Sequence, residues 1–320
     1  MSKFLIFADL HIHNYKQFNK DNSRLTNCLN VLDDIFETAS ATGINTILFP
    51  GDLFDSQKAL PIIVVNQTIK KFIQLFEKHP HVNFVACSGN HDYGSKNLID
   101  KPAVSALTHL AEVFIDRFIL IDNTFVDIDN VRIHAVPYYE YSDHYHDALE
   151  KRTFELLEPQ TDLLMIHQTP DGISNTSFAG DTDPDSHLYG YFQHIFCGHI
   201  HKREYLSNKF TVVGSPLHRD LGDVGETKGF LIYDSTNNII EFVALENYPE
   251  FIKVDDTTDA AYNNDYAVQN KLVVENTSTI DLDSKKFNTN LKAEQLVENF
   301  WLEADGEDKD LLSVGLSFIK

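Results

Sequence analysis

In the first ninety positions, short continuous apolar runs alternate with longer stretches in which apolar residues recur every three or four places. The runs "KFLIFAD" (3–9), "INTILFP" (44–50) and "VNFVACS" (82–88) have the length and density of buried strands. Between them, residues 23–43 set Leu25, Leu29, Leu32, Ile35, Phe36 and Ala39 on one helical face, with Ser23 as candidate cap and Gly43 as stop. Residues 61–79 repeat the helical pattern, with Pro61 near the first turn. Strand and helix in alternation predict a largely parallel sheet with helices packed against it.

From about residue 113 the texture changes to short strands separated by turn formers. They are "VFI" (113–115), "FVDI" (125–128) and "VRIHAVPY" (131–138), then, after a helix around 143–157, "DLLMIHQ" (162–168), "HIFCGHI" (194–200), "EYL" (204–206), "FTVVGS" (210–215), "GFLIYD" (229–234) and "IIEFVAL" (239–245). These predict a second sheet. Two facing mixed sheets flanked by helices make a four-layered α/β sandwich.

Near residue 247 the rhythm breaks into turn formers and acids, so the expected organisation is a first domain over 1–246 and a small C-terminal α+β domain over 247–320. The latter contains a strand-like run, "KLVVEN" (271–276), and a helix-like run, "AEQLVENFWLEA" (293–304), whose Leu296, Phe300 and Trp301 read as the domain's own core or as a docking face. The longest irregular stretch, 168–190, has the length of a functional loop.

Composition narrows the class. The 320 residues are 42% hydrophobic, 12% aromatic and 23% charged, as in ordinary globular proteins. No window supplies the roughly 20 apolar residues of a membrane span, and "MSKFLIFADLHIH" lacks a leader's cleavage region, so the expected compartment is the cytoplasm of a bacterial or phage-infected cell. Cys28, Cys87 and Cys197 each sit in an apolar segment, which argues against a disulfide framework. The net charge of −22 disfavours a broad basic face that coats nucleic acid, yet it excludes no nucleic-acid enzyme, because bound divalent cations supply local positive charge.

Metal-capable side chains cluster where strands end. Asp9 and His11 follow the first strand, Asp52 and Asp55 the second, Asn90, His91 and Asp92 the third; His167 ends "DLLMI", and His199 and His201 follow "HIFC". Ligand sites of open α/β sheets gather at the carboxyl ends of strands, so these five loops are expected to converge. A mixture of carboxylate, imidazole and amide oxygen suits Mn²⁺, Fe²⁺ or Zn²⁺ better than Ca²⁺, and there are more donors than one ion requires. Two divalent ions are therefore expected.

The set "DLH" (9–11), "GDLFD" (51–55), "GNHD" (89–92), "HQ" (167–168) and "GHIH" (198–201) resembles, in order and spacing, the five motifs of the calcineurin-like metallophosphoesterases. The resemblance implies that Asp9, His11 and His201 hold one metal and Asn90, His167 and His199 the other, with Asp52 bridging. It further implies that His91 protonates the leaving oxygen and that Asp55 orients His91. Two cations about 3.5–4 Å apart activate a water and clamp phosphoryl oxygens for in-line attack, and a positioned histidine supplies the leaving group's proton.

Within that superfamily "GDLFD" and "VVGSPLHRDLGDVGETKGFLIYD" (212–234) are similar to the nuclease subunits of the SbcD and meiotic-recombination-eleven type, with the phage versions nearest in length. The implied activity is DNA exonuclease and endonuclease cleavage, with Mn²⁺ the expected metal and Fe²⁺, Zn²⁺ or Mg²⁺ as alternatives. The implied partners are DNA and an SMC-like ATPase of the SbcC type, and the resembling nucleases often form homodimers. The chain departs from the pattern in having "DLHIHN" as its first motif and only six arginines. Arg203, His218 and Arg219 are the candidate phosphate contacts. His13 could reach the site from the first loop, His134 reads as structural, and "YYEYSDHYHD" (138–147) reads as a pocket wall or the start of a solvated helix. A phosphodiesterase or phosphatase acting on nucleotides or other small molecules, and a non-catalytic scaffold subunit, are the alternatives.

Overall fold

The structure is a computed structural model that describes residues 2–15, 22–55, 59–93, 105–173, 180, 182–254 and 271–275. The chain divides into two compact units, Met1–Glu275 and Asn276–Lys320. The expected helix at 293–304, with Trp301, lies outside the described residues.

Two six-stranded mixed sheets form the first unit. One runs in the order β12 (Ile239–Ala244), β11 (Gly229–Asp234), β1 (Lys3–Ile6), β2 (Thr46–Pro50), β3 (Asn83–Cys87), β4 (Phe118–Leu120). The other runs β5 (Phe125–Ile128), β6 (Val131–Val136), β7 (Leu163–His167), β8 (His194–Gly198), β10 (Phe210–Val212), β9 (Glu204–Tyr205). In each sheet four neighbouring strands are parallel, β1 to β4 in one and β6, β7, β8 and β10 in the other. A separate parallel pair, β13 (Glu250–Val254) with β14 (Lys271–Glu275), completes the unit.

Strand alternation sorts the core into layers. Leu5 and Phe7, Ile47 and Phe49, and Phe84 and Ala86 face α1 (Ser23–Ala41), α2 (Ile62–Lys78) and α3 (Ala106–Val113). Their neighbours Phe4, Ile6, Leu48, Val85 and Cys87 face the second sheet and meet Ile133, Ala135, Leu163, Met165 and Phe196. On that sheet's far side Leu164, Ile166, Ile195 and Cys197 pack with Tyr145 and Leu149 of α4 (Ser142–Thr153). The result is helix, sheet, sheet, helix, the four layers expected. Because the inner strands are buried on both faces, they read as unbroken apolar runs.

Several expectations give way locally. Ser23 is the first helical residue and not the cap; Asn22 occupies that position in the left-handed region at φ 60°. Gly43, at φ +70°, does stop α1, with its N–H donating to Ser40 O and that of Ile44 to Ala39 O, the paired bonds of a Schellman ending. Residues 113–115 are not a strand: α3 ends at Val113 and the strand begins at Phe118. "GFLIYD" and "IIEFVAL" join the first sheet and not the second, because β11 pairs antiparallel with β1. "EFIKV", inside the stretch near residue 247 read as turn formers and acids, is strand β13, and it pairs in parallel with "KLVVE" within the first compact unit.

Candidate metal centre

The loops after β1, β2, β3, β7 and β8 meet at one end of the sandwich. Backbone hydrogen bonds join the first two: Asp9 N donates to Gly51 O at 3.0 Å, His11 N to Asp52 O at 3.0 Å and Ile12 N to Leu53 O at 2.8 Å. Asp92 organises the second and third, accepting from the N–H groups of Asp52 (2.8 Å), Leu53 (3.0 Å), Phe54 (3.2 Å) and Gly89 (3.0 Å). At Gly89 a Cβ would collide with the Asp52 carboxylate. Gly51, at φ +96°, would there meet the His167 ring, so the motif glycines mark backbone that touches the site.

Among the described residues, four of the ten non-glycine residues with positive φ are site residues: Asp9 (54°), His11 (48°), Asp52 (61°) and His199 (87°). Left-handed backbone is costly for such residues and persists where the surroundings over-determine it. Here it turns four donor side chains into one pocket.

Among the described residues, three groups have ligand atoms within 4.8 Å of one another: Asp9, His11 and His201; Asp52, His167 and His199; and His11, Asp52 and His91. Asn90 joins the second, its Oδ1 lying 3.0 Å from His167 Nε2 and 2.9 Å from His199 Nδ1. The Asp52 carboxylate stands between the first two groups, with Oδ2 3.5 Å from His11 Nε2 and 3.3 Å from His167 Nε2. The other six residues expected as ligands are thus gathered around the Asp52 carboxylate.

The donor chemistry fits divalent cations. His167 Nδ1 lies 2.8 Å from the Pro50 carbonyl oxygen and donates to it, so Nε2 faces the pocket, the arrangement by which an outer hydrogen bond orients a ligating imidazole. Burial pushes His11 well below the usual histidine range, and burial together with Arg219 takes His201 down to about 4. Burial and the charge of His167 take His199 down to about 3, so these three rings keep a lone pair for a cation. Burial raises Asp9 to about 7. Burial would also raise Asp52, but the surrounding imidazoles of His167, His11 and His91 outweigh it and hold the carboxyl well below its usual range. His167 is the reciprocal case, burial lowering it and Asp52 lifting it to about 9. The pocket is one that recruits positive charge.

His91 and Asp55 meet differently from the expected arrangement. His91 Nδ1 bonds the backbone carbonyl of Asp55, and His91 N donates to Asp52 Oδ1 at 2.7 Å. The Asp55 carboxylate instead accepts from Arg219 Nη2 at 2.6 Å and from the Tyr15 hydroxyl. The orienting group is therefore the main chain, because the turn at 51–55 points the side chain towards Arg219. A carbonyl still fixes His91 with its other nitrogen outward.

The three candidate phosphate contacts separate. Arg219 enters the site, with Nη1 3.1 Å from both His11 Nε2 and His201 Nε2. Arg203 packs its guanidinium 3.3 Å over the Phe242 ring. His218 is buried and uses both ring nitrogens structurally, accepting from Phe251 N (3.1 Å) and donating to Glu226 O (2.8 Å). Neither is turned to the site, because each is taken up by a neighbouring strand or loop. His13 turns back to the His11 carbonyl, and His134 is a buried partner of Asp162 at 3.0 Å, structural as expected. Of 138–147, Tyr138 lies against His199, with ring centroids 5.6 Å apart, while residues 142–147 begin α4.

Supporting residues escaped the motif reading. From the sequence Asp92 reads only as metal-capable, and its role as a backbone clamp needs the fold. Lys228 donates to the His201 carbonyl at 2.9 Å and pairs with Asp223, which in turn accepts from Arg219 N at 2.7 Å. Nothing in their spacing could have signalled this.

A model of the calcineurin-like phosphoesterases matches residues 2–203, and the chain belongs to that family, whose members hold metals in pairs and act on phosphoesters. No curated protein matches the sequence. Among solved structures, the chain is similar to a dimetal phosphatase from Danio rerio, at 10% identity over 72% of this chain and 91% of that one, with a TM-score of 0.43. Among the described residues no helix is long and apolar enough to cross a membrane.

Proposed function

We propose that this calcineurin-like phosphoesterase is a dinuclear phosphodiester hydrolase that cleaves DNA as the nuclease subunit of an SbcCD-like complex. The observation that carries the chemistry is the position of Asp52, a single carboxylate between two imidazole-rich groups. Asp9, His11 and His201 would hold one ion and Asn90, His167 and His199 the other, with Asp52 shared. Such a pair supplies Lewis-acid polarisation of the phosphoryl oxygens. His91, held at Nδ1 by the Asp55 carbonyl, offers Nε2 to protonate the leaving oxygen. Mn²⁺ is the proposed metal, given the mixed nitrogen and oxygen donors.

DNA and an SMC-like ATPase partner rest on the resemblance of "GDLFD" and the segment after "GHIH" to SbcD-type nucleases. Arg219 adds a cation beside the site in a chain of net charge −22. The test is Mn²⁺-dependent hydrolysis of single- and double-stranded DNA alongside bis-p-nitrophenyl phosphate and cyclic nucleotides. Cleavage of DNA is expected. Turnover confined to the small esters would replace the nuclease reading with that of a small-molecule phosphodiesterase.

A further inference from the structure

The Arg219 guanidinium is built into the first of the two donor groups. Nη1 stands 3.1 Å from His11 Nε2 and 3.1 Å from His201 Nε2, and those two nitrogens are themselves 3.1 Å apart. Nη1 carries two hydrogens and donates to both rings when each Nε2 is the unprotonated nitrogen. Nη2 is anchored by Asp55 Oδ1 at 2.6 Å, and the arginine's own N–H is held by Asp223. Arginine cannot yield a proton to make room. A divalent ion in this position requires the same two lone pairs, and a lone pair serves one acceptor bond at a time.

We infer that the Arg219 side chain and the first divalent cation are alternative occupants of the His11–His201 position, so that loading the metal expels the guanidinium from between the two rings. The inference rests on the dinuclear reading and adds a built-in competitor to it. The arginine-filled state is then the binding-incompetent one, and it reduces the apparent affinity for the first ion by the fraction of molecules that occupy it. His167 and His199 lie in the other group, which Arg219 does not bridge among the described residues, and escape the competition.

The experiment is a calorimetric Mn²⁺ titration of the full chain, freed of metal, as wild type, Arg219→Ala and Arg24→Ala. Arg24 neighbours Arg219, donating to its backbone carbonyl at 3.1 Å, and so controls for the loss of a nearby positive charge. Arg219→Ala is expected to take up its weaker or first-group ion roughly tenfold more tightly, the scale of losing charge-assisted hydrogen bonds, with Arg24→Ala close to wild type. The metal-free Arg219→Ala protein should also melt lower than metal-free wild type, while the loaded proteins melt alike. Two ions bound with unchanged or weaker affinity in Arg219→Ala, or equal tightening in Arg24→Ala, overturns the exchange and leaves the dinuclear site standing. Failure of wild type and variant alike to bind two ions overturns both.

Discussion

Asp92 holds Asp52 by its backbone: the buried Asp92 carboxylate accepts the Asp52 N–H at 2.8 Å, and three more N–H groups of the two adjoining loops converge on it. The shared carboxylate of the site therefore owes its position to a neighbour that offers no atom to any of the three donor groups. Asp92→Ala leaves four buried N–H donors without their acceptor and is expected to cost roughly 3 kcal/mol or more, since each buried donor left unmade costs about 1–3 kcal/mol. Urea unfolding measures it, and Asp92→Asn, which keeps one acceptor oxygen, should lose less.

Asp52 and His91 separate metal holding from proton delivery. Asp52→Ala is expected to lose bound metal and turnover together. His91→Ala is expected to keep two ions by elemental analysis while kcat on bis-p-nitrophenyl phosphate falls about 10²- to 10⁴-fold. Loss of one ion from His91→Ala would instead make His91 a ligand, as its grouping with His11 and Asp52 permits.

Chelation should abolish hydrolysis, with Mn²⁺ restoring it. Because the pocket is formed only in the folded chain, metal at about one hundred times its Kd is expected to add about 2.7 kcal/mol to unfolding stability. Thermal melts with and without Mn²⁺ check this, and an unchanged Tm would count against specific binding in the folded state.

His194 lies away from the metal groups, buried in β8 between Thr211 Oγ1 at 2.9 Å and Asn238 Oδ1 at 3.2 Å. Burial takes its pKa from the ordinary 6.5 down to about 4. Between those values the unfolded chain binds the proton and the folded one does not, so the stability from this residue is present above about pH 6.5 and declines as pH falls towards 4, by up to about 3 kcal/mol. His194→Gln should flatten that part of the curve of unfolding free energy against pH.

His218→Ala is expected to lower stability while leaving the KM for a phosphodiester unchanged, because both ring nitrogens hold backbone groups of other segments. A raised KM with unaltered stability would return His218 to the substrate.

The chain's one-dimensional pattern was enough for the layers and for the gathering of the site. Strands buried on both faces announce themselves as continuous apolar runs, and carboxyl ends of parallel strands gather their loops, so position singles out Asp9, His11, Asp52, Asp55, Asn90, His91, Asp92, His167, His199 and His201 as candidates, and the resemblance to the phosphoesterase motifs implies which of them hold metal. Periodicity is blind to pairing partners, and β11 therefore could not be assigned to the side of β1 before the antiparallel register was seen. It is equally blind to which atom of a residue faces a neighbour. Asp55 meets His91 with its carbonyl, Arg203 lies on Phe242, His218 ties down the β13 backbone, and only Arg219 of the three candidate phosphate contacts reaches the imidazoles. Those outcomes depend on left-handed turns and on contacts between segments as far apart as His11 and Arg219, a separation over which spacing carries no information.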